Sequence, residues 1–174
     1  MNRMGEPRIT AEILLVEDNQ SDLELALRAL GKHRISDVCV ARDGLEALDF
    51  IFCQGPFSAR SIADQPRVVL LDLKLPLIDG IEVLRRIRAD SRTHSIPIVA
   101  LTSSDREADV ALMYQLGVNS YIRKPTDFNQ FADAIKMVGA YWLTVNQPLL
   151  SGSKGAMTPR LSRVPAEARY RQSA

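Results

Sequence analysis

Glu17 and Asp18, Asp72, Thr102 and Lys124 are scattered along 174 residues, yet each stands where a short apolar run ends. Ile13-Leu14-Leu15-Val16 closes on Glu17-Asp18, Val68-Val69-Leu70-Leu71 on Asp72, Ile96 to Leu101 on Thr102, and Ser120-Tyr121-Ile122-Arg123 on Lys124. A short unbroken apolar run reads as a strand buried on both faces, of the kind found in parallel sheets covered by helices, and ligands of such sheets gather outside the strands' carboxyl ends. With all the strands parallel, three acids, a hydroxyl and a lysine converge on one edge. Carboxylates crowded together repel, and the remedies are a raised pKa, a cationic side chain or a hard divalent cation. Mg²⁺ suits two carboxylates, a phosphate oxygen and retained waters. Thr102 and Lys124 can donate to the oxygens of a phosphoryl group, and one carboxylate would serve as nucleophile.

The elements between these residues alternate in period. After Asp18, Leu23, Ala26, Leu27 and Leu30 form a helical apolar face with Asp22, Glu24 and Arg28 outside, and Gly31 stops it. Asp37 to Ala41 is a second strand. Asp43-Gly44-Leu45-Glu46 supplies an N-cap with Glu three residues on, opening a helix from Gly44 to about Cys53. Residues 54–66 then make a long connection, read as a surface insertion or a recognition loop. Ile81, Leu84 and Ile87 mark a third helix. Ser104-Asp105-Arg106-Glu107 reads as a capping box for a fourth, ended by Gly117, and Phe128 to Trp142 carries a long fifth. Five strand-helix units specify a doubly wound α/β domain with right-handed crossovers.

Composition narrows the classes. The formal net charge is only +1, so global charge favours neither nucleic acid nor an acidic substrate. From Gln147 onward Lys154, Arg160, Arg163, Arg169 and Arg171 stand against Glu167, in a stretch of Pro, Ser, Gly and Arg without periodicity. The expected organisation is an N-terminal extension over residues 1–10, one domain over 11–146 and a basic disordered tail over 147–174. Cys39 and Cys53 lack C-x-x-C spacing and read as buried free thiols, which fits a reducing cytoplasm. No run reaches the roughly 18 apolar residues of a membrane span, and Met1 to Ile9 lacks a signal-peptide core. His33 and His94 read as solvated surface residues. Gly-rich phosphate loops are absent, and nothing after Asn146 suggests a helix-turn-helix.

Together, Glu17-Asp18, Asp72 within Leu71-Asp72-Leu73-Lys74-Leu75-Pro76-Leu77-Ile78-Asp79-Gly80, Thr102, Tyr121 and Lys124-Pro125 resemble the receiver domains of two-component response regulators over about Ala11 to Asn146. The resemblance implies the flavodoxin-like (βα)5 sandwich with sheet order 2-1-3-4-5. It implies that Asp72 accepts a phosphoryl group from a histidine kinase or phosphotransfer protein, and that the chain catalyses only its own phosphorylation and dephosphorylation. Asp18, Asp72 and the backbone carbonyl of Lys74 would hold Mg²⁺, with Glu17 reaching it through water. Thr102 and Lys124 would bind the phosphoryl oxygens, Thr102 and Tyr121 would form the switch, and Lys74 and Ser104 would tune the hydrolytic water. Lys124-Pro125 matches a pair usually joined by a cis peptide. Charge alone suggests that Lys74 also pairs with Glu17 before modification.

The 54–66 loop and the ending Tyr141-Trp142-Leu143-Thr144-Val145-Asn146-Gln147-Pro148 resemble, more narrowly, single-domain regulators that partner phytochrome-type histidine kinases. That likeness implies a homodimer through helix 4, strand 5 and helix 5. Two other functions compete. An Asp-nucleophile phosphatase would want an acid where Lys74 stands, and an interaction module working without phosphorylation would be marked by loss of the acceptor Asp or the Lys, both of which are present.

Overall fold

The structure is a computed structural model and describes residues 11–31, 37–104 and 106–147. The expected N-terminal extension, His33, and the tail from residue 148 lie outside the described residues. Strands β1 (Ile13–Val16), β2 (Val38–Ala41), β3 (Val68–Leu71), β4 (Ile98–Thr102) and β5 (Ser120–Arg123) alternate with helices α1 (Gln20–Gly31), α2 (Gly44–Phe52), α3 (Gly80–Ala89), α4 (Glu107–Gln115) and α5 (Phe128–Ala140). The sheet is parallel throughout, in the order β2-β1-β3-β4-β5. Among the described residues no helix is long and apolar enough to cross a membrane.

The strand period explains the unbroken apolar runs. Leu14, Val16, Val69, Leu71, Ile98 and Ala100 point to one face, against Leu48 and Ile51 of α2, Val83 and Ile87 of α3 and Met113 of α4. Their neighbours Ile13, Leu15, Val68, Leu70, Val99 and Leu101 point to the other, against Leu23, Ala26 and Leu30 of α1 and Phe131 and Ile135 of α5. Each face is covered, so neither set of alternating residues can be polar.

Local chemistry sets the helix starts. The Asp43 side chain accepts from the Glu46 N–H at 2.7 Å, as the sequence pattern predicts. Asp79 caps α3 in the same way, accepting from the Glu82 N–H at 2.8 Å. The loop between β3 and α3 is clamped by two glycines. A Cβ at Gly80 would lie 2.2 Å from the Asp72 carbonyl oxygen, and one at Gly44 would lie 1.9 Å from that of Ile78. Gly80 therefore lets α3 start directly against the end of β3.

Several expectations need correction. Ser104 does not cap α4: Arg106 holds the N-cap position without a side-chain bond, and the Ser104 hydroxyl donates to Asp109 Oδ2 at 2.6 Å instead. The same hydroxyl oxygen accepts from the Arg106 N–H at 3.4 Å, ahead of the helix, because α4 starts at Glu107, too late for Ser104 to hold the cap position. The 54–66 connection, read as a surface insertion or a recognition loop, is folded onto the body. It contains a turn of 3-10 helix at Gly55–Phe57, and the Arg60 guanidinium lies 3.5 Å from the Phe50 ring centroid while donating to the carbonyls of Phe50 and Asp64. The free thiols of Cys39 and Cys53 are half-buried rather than buried, because one sits on the edge strand β2 and the other caps α2 in the left-handed region at φ 56°. Helix α5 passes at Tyr141 into a π turn reaching Val145, closed by the Asn146 N–H donating to Tyr141 O at 2.8 Å. No peptide among the described residues is cis, Lys124-Pro125 included, and an X–Pro bond prefers trans by about 0.5–1 kcal/mol.

Candidate functional site

Parallel pairing brings Val16, Leu71 and Arg123 to a common edge, and Glu17, Asp72 and Lys124 just beyond them form one cluster. Lys124 Nζ lies at its centre, 2.6 Å from Glu17 Oε2, 2.6 Å from Asp72 Oδ2 and 3.0 Å from Asp22 Oδ2. Glu17 and Asp72 are buried, at 2 % and 7 % exposure, whereas Asp18 faces solvent. The second oxygen of Asp72, Oδ1, accepts from the Lys74 N–H at 3.1 Å, which ties the start of the β3–α3 loop to this carboxylate.

Thr102 is wholly buried at the end of β4. Its carbonyl accepts from the Lys124 N–H at 2.8 Å, and its hydroxyl oxygen accepts from the Ser104 N–H at 3.1 Å. Tyr121, half-buried on β5, donates its hydroxyl to Ser104 O at 3.2 Å. Thr102, Ser104 and Tyr121 thus form a continuous hydrogen-bonded path leading from the cluster toward α4 and β5.

Three carboxylates crowd one ammonium, with Asp18 close by, and the electrostatics follow. Burial pushes the Glu17 carboxyl above its ordinary value, against the pull of the Lys124 ammonium, and the nearby Asp72 charge adds to the rise. Burial also opposes the charge of Lys124, but hydrogen bonds and attraction from Asp72 and Glu17 overcome it and hold the ammonium protonated well beyond a free lysine. Both shifts express one condition, an excess of negative charge in a partly dry site. A divalent cation would relieve it. Carboxylate oxygens of Glu17, Asp18 and Asp72 lie within 4.8 Å of one another. Oxygens bound directly to Mg²⁺ at about 2.0–2.1 Å can be no more than about 4.2 Å apart, so the set fits an ion with its outermost member reaching through a retained water.

The structure brings together every residue the sequence places at this edge and adds one that it does not. Asp22, expected on the outer face of α1, joins the cluster. The signal was present in Asn19: its side chain accepts from the Asp22 N–H at 3.0 Å, so Asp22 belongs to the first turn of a helix that starts where β1 ends. The suggested Lys74–Glu17 pair does not form. Lys74 is exposed, and Glu17 is taken by Lys124 and by the Asn19 N–H. His94 is exposed, as expected, with Nδ1 2.8 Å from Ser91 O.

Comparison with known proteins agrees with this geometry. The response regulator receiver domain model matches residues 13–136. The chain is 37 % identical over 138 residues to response regulator Rcp1 of Synechocystis sp., covering 78 % of this chain and 92 % of that protein. The Mn²⁺-bound structure of Rcp1 superposes with a TM-score of 0.73 at 35 % identity, over 79 % of this chain and 97 % of the other. The phosphorylated cyanobacterial phytochrome response regulator RcpA gives 0.74 at 36 % identity, over 80 % and 98 %. The bacteriophytochrome response regulator AtBRR is 49 % identical, with a TM-score of 0.62 over 79 % and 99 %.

Proposed function

The chain belongs to the response regulator receiver domain family, and from that premise we propose that Asp72 accepts a phosphoryl group from the phosphohistidine of a histidine kinase or phosphotransfer protein. The observation that carries this reading is the placement of the buried Asp72 carboxylate between the Lys124 ammonium at 2.6 Å and the oxygen set it shares with Glu17 and Asp18. One oxygen of Asp72 attacks the phosphorus in line with the P–N bond. An O–P bond forms, the P–N bond breaks, and its electron pair stays on the imidazole, which takes a proton from solvent. Asp18, Asp72 and the Lys74 carbonyl would hold Mg²⁺, with Glu17 reaching it through water. When bound there, the ion would supply positive charge opposite the transferring group. Lys124 and the Thr102 hydroxyl receive the new phosphoryl oxygens. Lys74 and Ser104, each two residues beyond a site residue, flank the approach of the water that later hydrolyses the acyl phosphate.

The signal leaves through Thr102. Charge-assisted hydrogen bonds from Lys124 and Thr102 are worth about 1.5–3 kcal/mol each. Their sum is comparable with the roughly 5.5 kcal/mol that moves a two-state equilibrium from 1:99 to 99:1. When Thr102 moves toward the phosphoryl group, the Ser104 N–H bonded to it follows, and Tyr121 follows Ser104. The remodelled face includes α4, β5 and α5, where Tyr114, Met137 and Tyr141 are exposed and the last two line a recess with Asn119 and Ser120. That face is the proposed homodimer surface. The likeness to RcpA and AtBRR supports a phytochrome-type sensor kinase as donor, and the reading places the exchange in the cytoplasm.

The test is direct labelling. With Mg²⁺ and acetyl phosphate, intact-mass measurement is expected to show one added phosphoryl group on the native protein and none on Asp72→Asn. An unlabelled native protein, or equal labelling of the variant, overturns the reading.

A further inference from the structure

The Lys124 ammonium has three donors, and each has a carboxylate: Glu17 at 2.6 Å, Asp72 at 2.6 Å and Asp22 at 3.0 Å. Glu17 and Asp72 also belong to the oxygen set that can close on a cation, whereas Asp22 does not. Asp22 is therefore the partner of Lys124 with no competing demand on it. Its own place is fixed by the capped first turn of α1, since its N–H donates to Asn19 Oδ1 at 3.0 Å. The lysine side chain is 9 % exposed and that of Asp22 is 31 %, so the contact lies at the mouth of the site, partly shielded from water.

A lysine is a point charge on a flexible four-carbon stem, and it serves a transferring phosphoryl group only if its ammonium is already in place. We propose that Asp22 is a positioning residue for phosphoryl transfer: it tethers the Lys124 ammonium above Asp72 while the oxygens of Glu17 and Asp72 turn to the cation, so that the lysine meets the incoming phosphoryl oxygens with its side chain already set. The proposal rests on Asp72 being the phosphoacceptor.

The experiment uses the full chain at saturating Mg²⁺, which removes any effect of charge on cation binding, with acetyl phosphate as donor and intact mass as readout. Asp22→Asn is expected to lower the maximal rate roughly threefold to tenfold, as loss of an orienting partner does at a partly exposed site, with the KM for acetyl phosphate unchanged. Asp22→Glu should restore part of the rate. In a Lys124→Ala background, Asp22→Asn should add no further loss. An unchanged rate, or the same slowing without Lys124, overturns the proposal. A second readout needs no phosphorylation: the Lys124 ammonium ¹⁵N signal should be sharp in the native protein and broadened by faster proton exchange in Asp22→Asn. If the native protein takes no label, the phosphoacceptor reading fails by itself. An unchanged ammonium signal in Asp22→Asn then shows that no tether exists.

Discussion

Tyr121 donates its hydroxyl to the carbonyl of Ser104 at 3.2 Å, while the N–H of the same Ser104 donates to the Thr102 hydroxyl oxygen at 3.1 Å. One peptide segment therefore links the buried threonine at the end of β4 to the half-buried aromatic on β5. Asp109 holds that segment from α4 through the Ser104 hydroxyl at 2.6 Å. The link between site and surface consists of a few directional bonds, and each can be removed singly.

Removing the phenolic hydroxyl with Tyr121→Phe should cost about 0.5–1.5 kcal/mol of local stability. Hydrogen exchange at the Ser104 amide is expected to quicken in the unphosphorylated protein. Unchanged protection there would show that the bond restrains nothing.

Lys124 competes with any cation for the oxygens of Glu17 and Asp72. Lys124→Ala should therefore tighten Mg²⁺ binding, measured by titration calorimetry, and destabilise the ion-free fold. Breaking a buried pair costs about 3–5 kcal/mol, less here because the cluster opens to water at Asp18. Added Mg²⁺ should recover part of that loss in urea unfolding.

A carboxyl whose folded pKa lies above its unfolded value binds more protons in the native state, so its contribution to stability is full below the unfolded value and lost as pH rises through the folded one. Burial raises Glu17 above 4.5. Urea unfolding of the ion-free protein should show stability declining as pH rises above about 4.5 through the raised Glu17 value, and Glu17→Gln should flatten that slope. Lys124, also raised from its ordinary 10.5, contributes stability below that value that is lost only at higher pH.

Arg60 pins the 54–66 connection to α2 through the Phe50 ring and carbonyl, and braces the connection itself through the Asp64 carbonyl. Arg60→Ala should cost about 1–3 kcal/mol and expose the segment to limited proteolysis. An uncut segment would mean that Gln65, which donates to the carbonyls of Ile51 and Ile62, suffices to hold it.

The amino-acid sequence by itself determined the strand-helix alternation and the edge chemistry. Val68–Leu71 and the apolar part of β4, 98–101, have no polar break, because both faces of their strands are covered, and that pattern alone marks where each ends and which polar residue follows. Asp43 was legible as a cap because its partner lies three residues away. What only the tertiary structure decided were the partners of long, charged or competing side chains. Asp22 reads as a solvent-facing acid until the end of β5 brings Lys124 to it, across 102 residues of sequence. Arg60 lies in the connection after α2, and nothing in its own segment marks the Phe50 ring and carbonyl as its partners. Ser104 fits a capping box, but α4 starts at Glu107, and the Ser104 hydroxyl donates to Asp109 instead. Lys74 and Lys124 are alike as charges, yet only Lys124 is held at the centre of the acids by a neighbouring strand. Period and spacing specify what a residue's own segment requires of it, whereas the choice among several acceptors depends on distances that exist only once the sheet has closed the order β2-β1-β3-β4-β5.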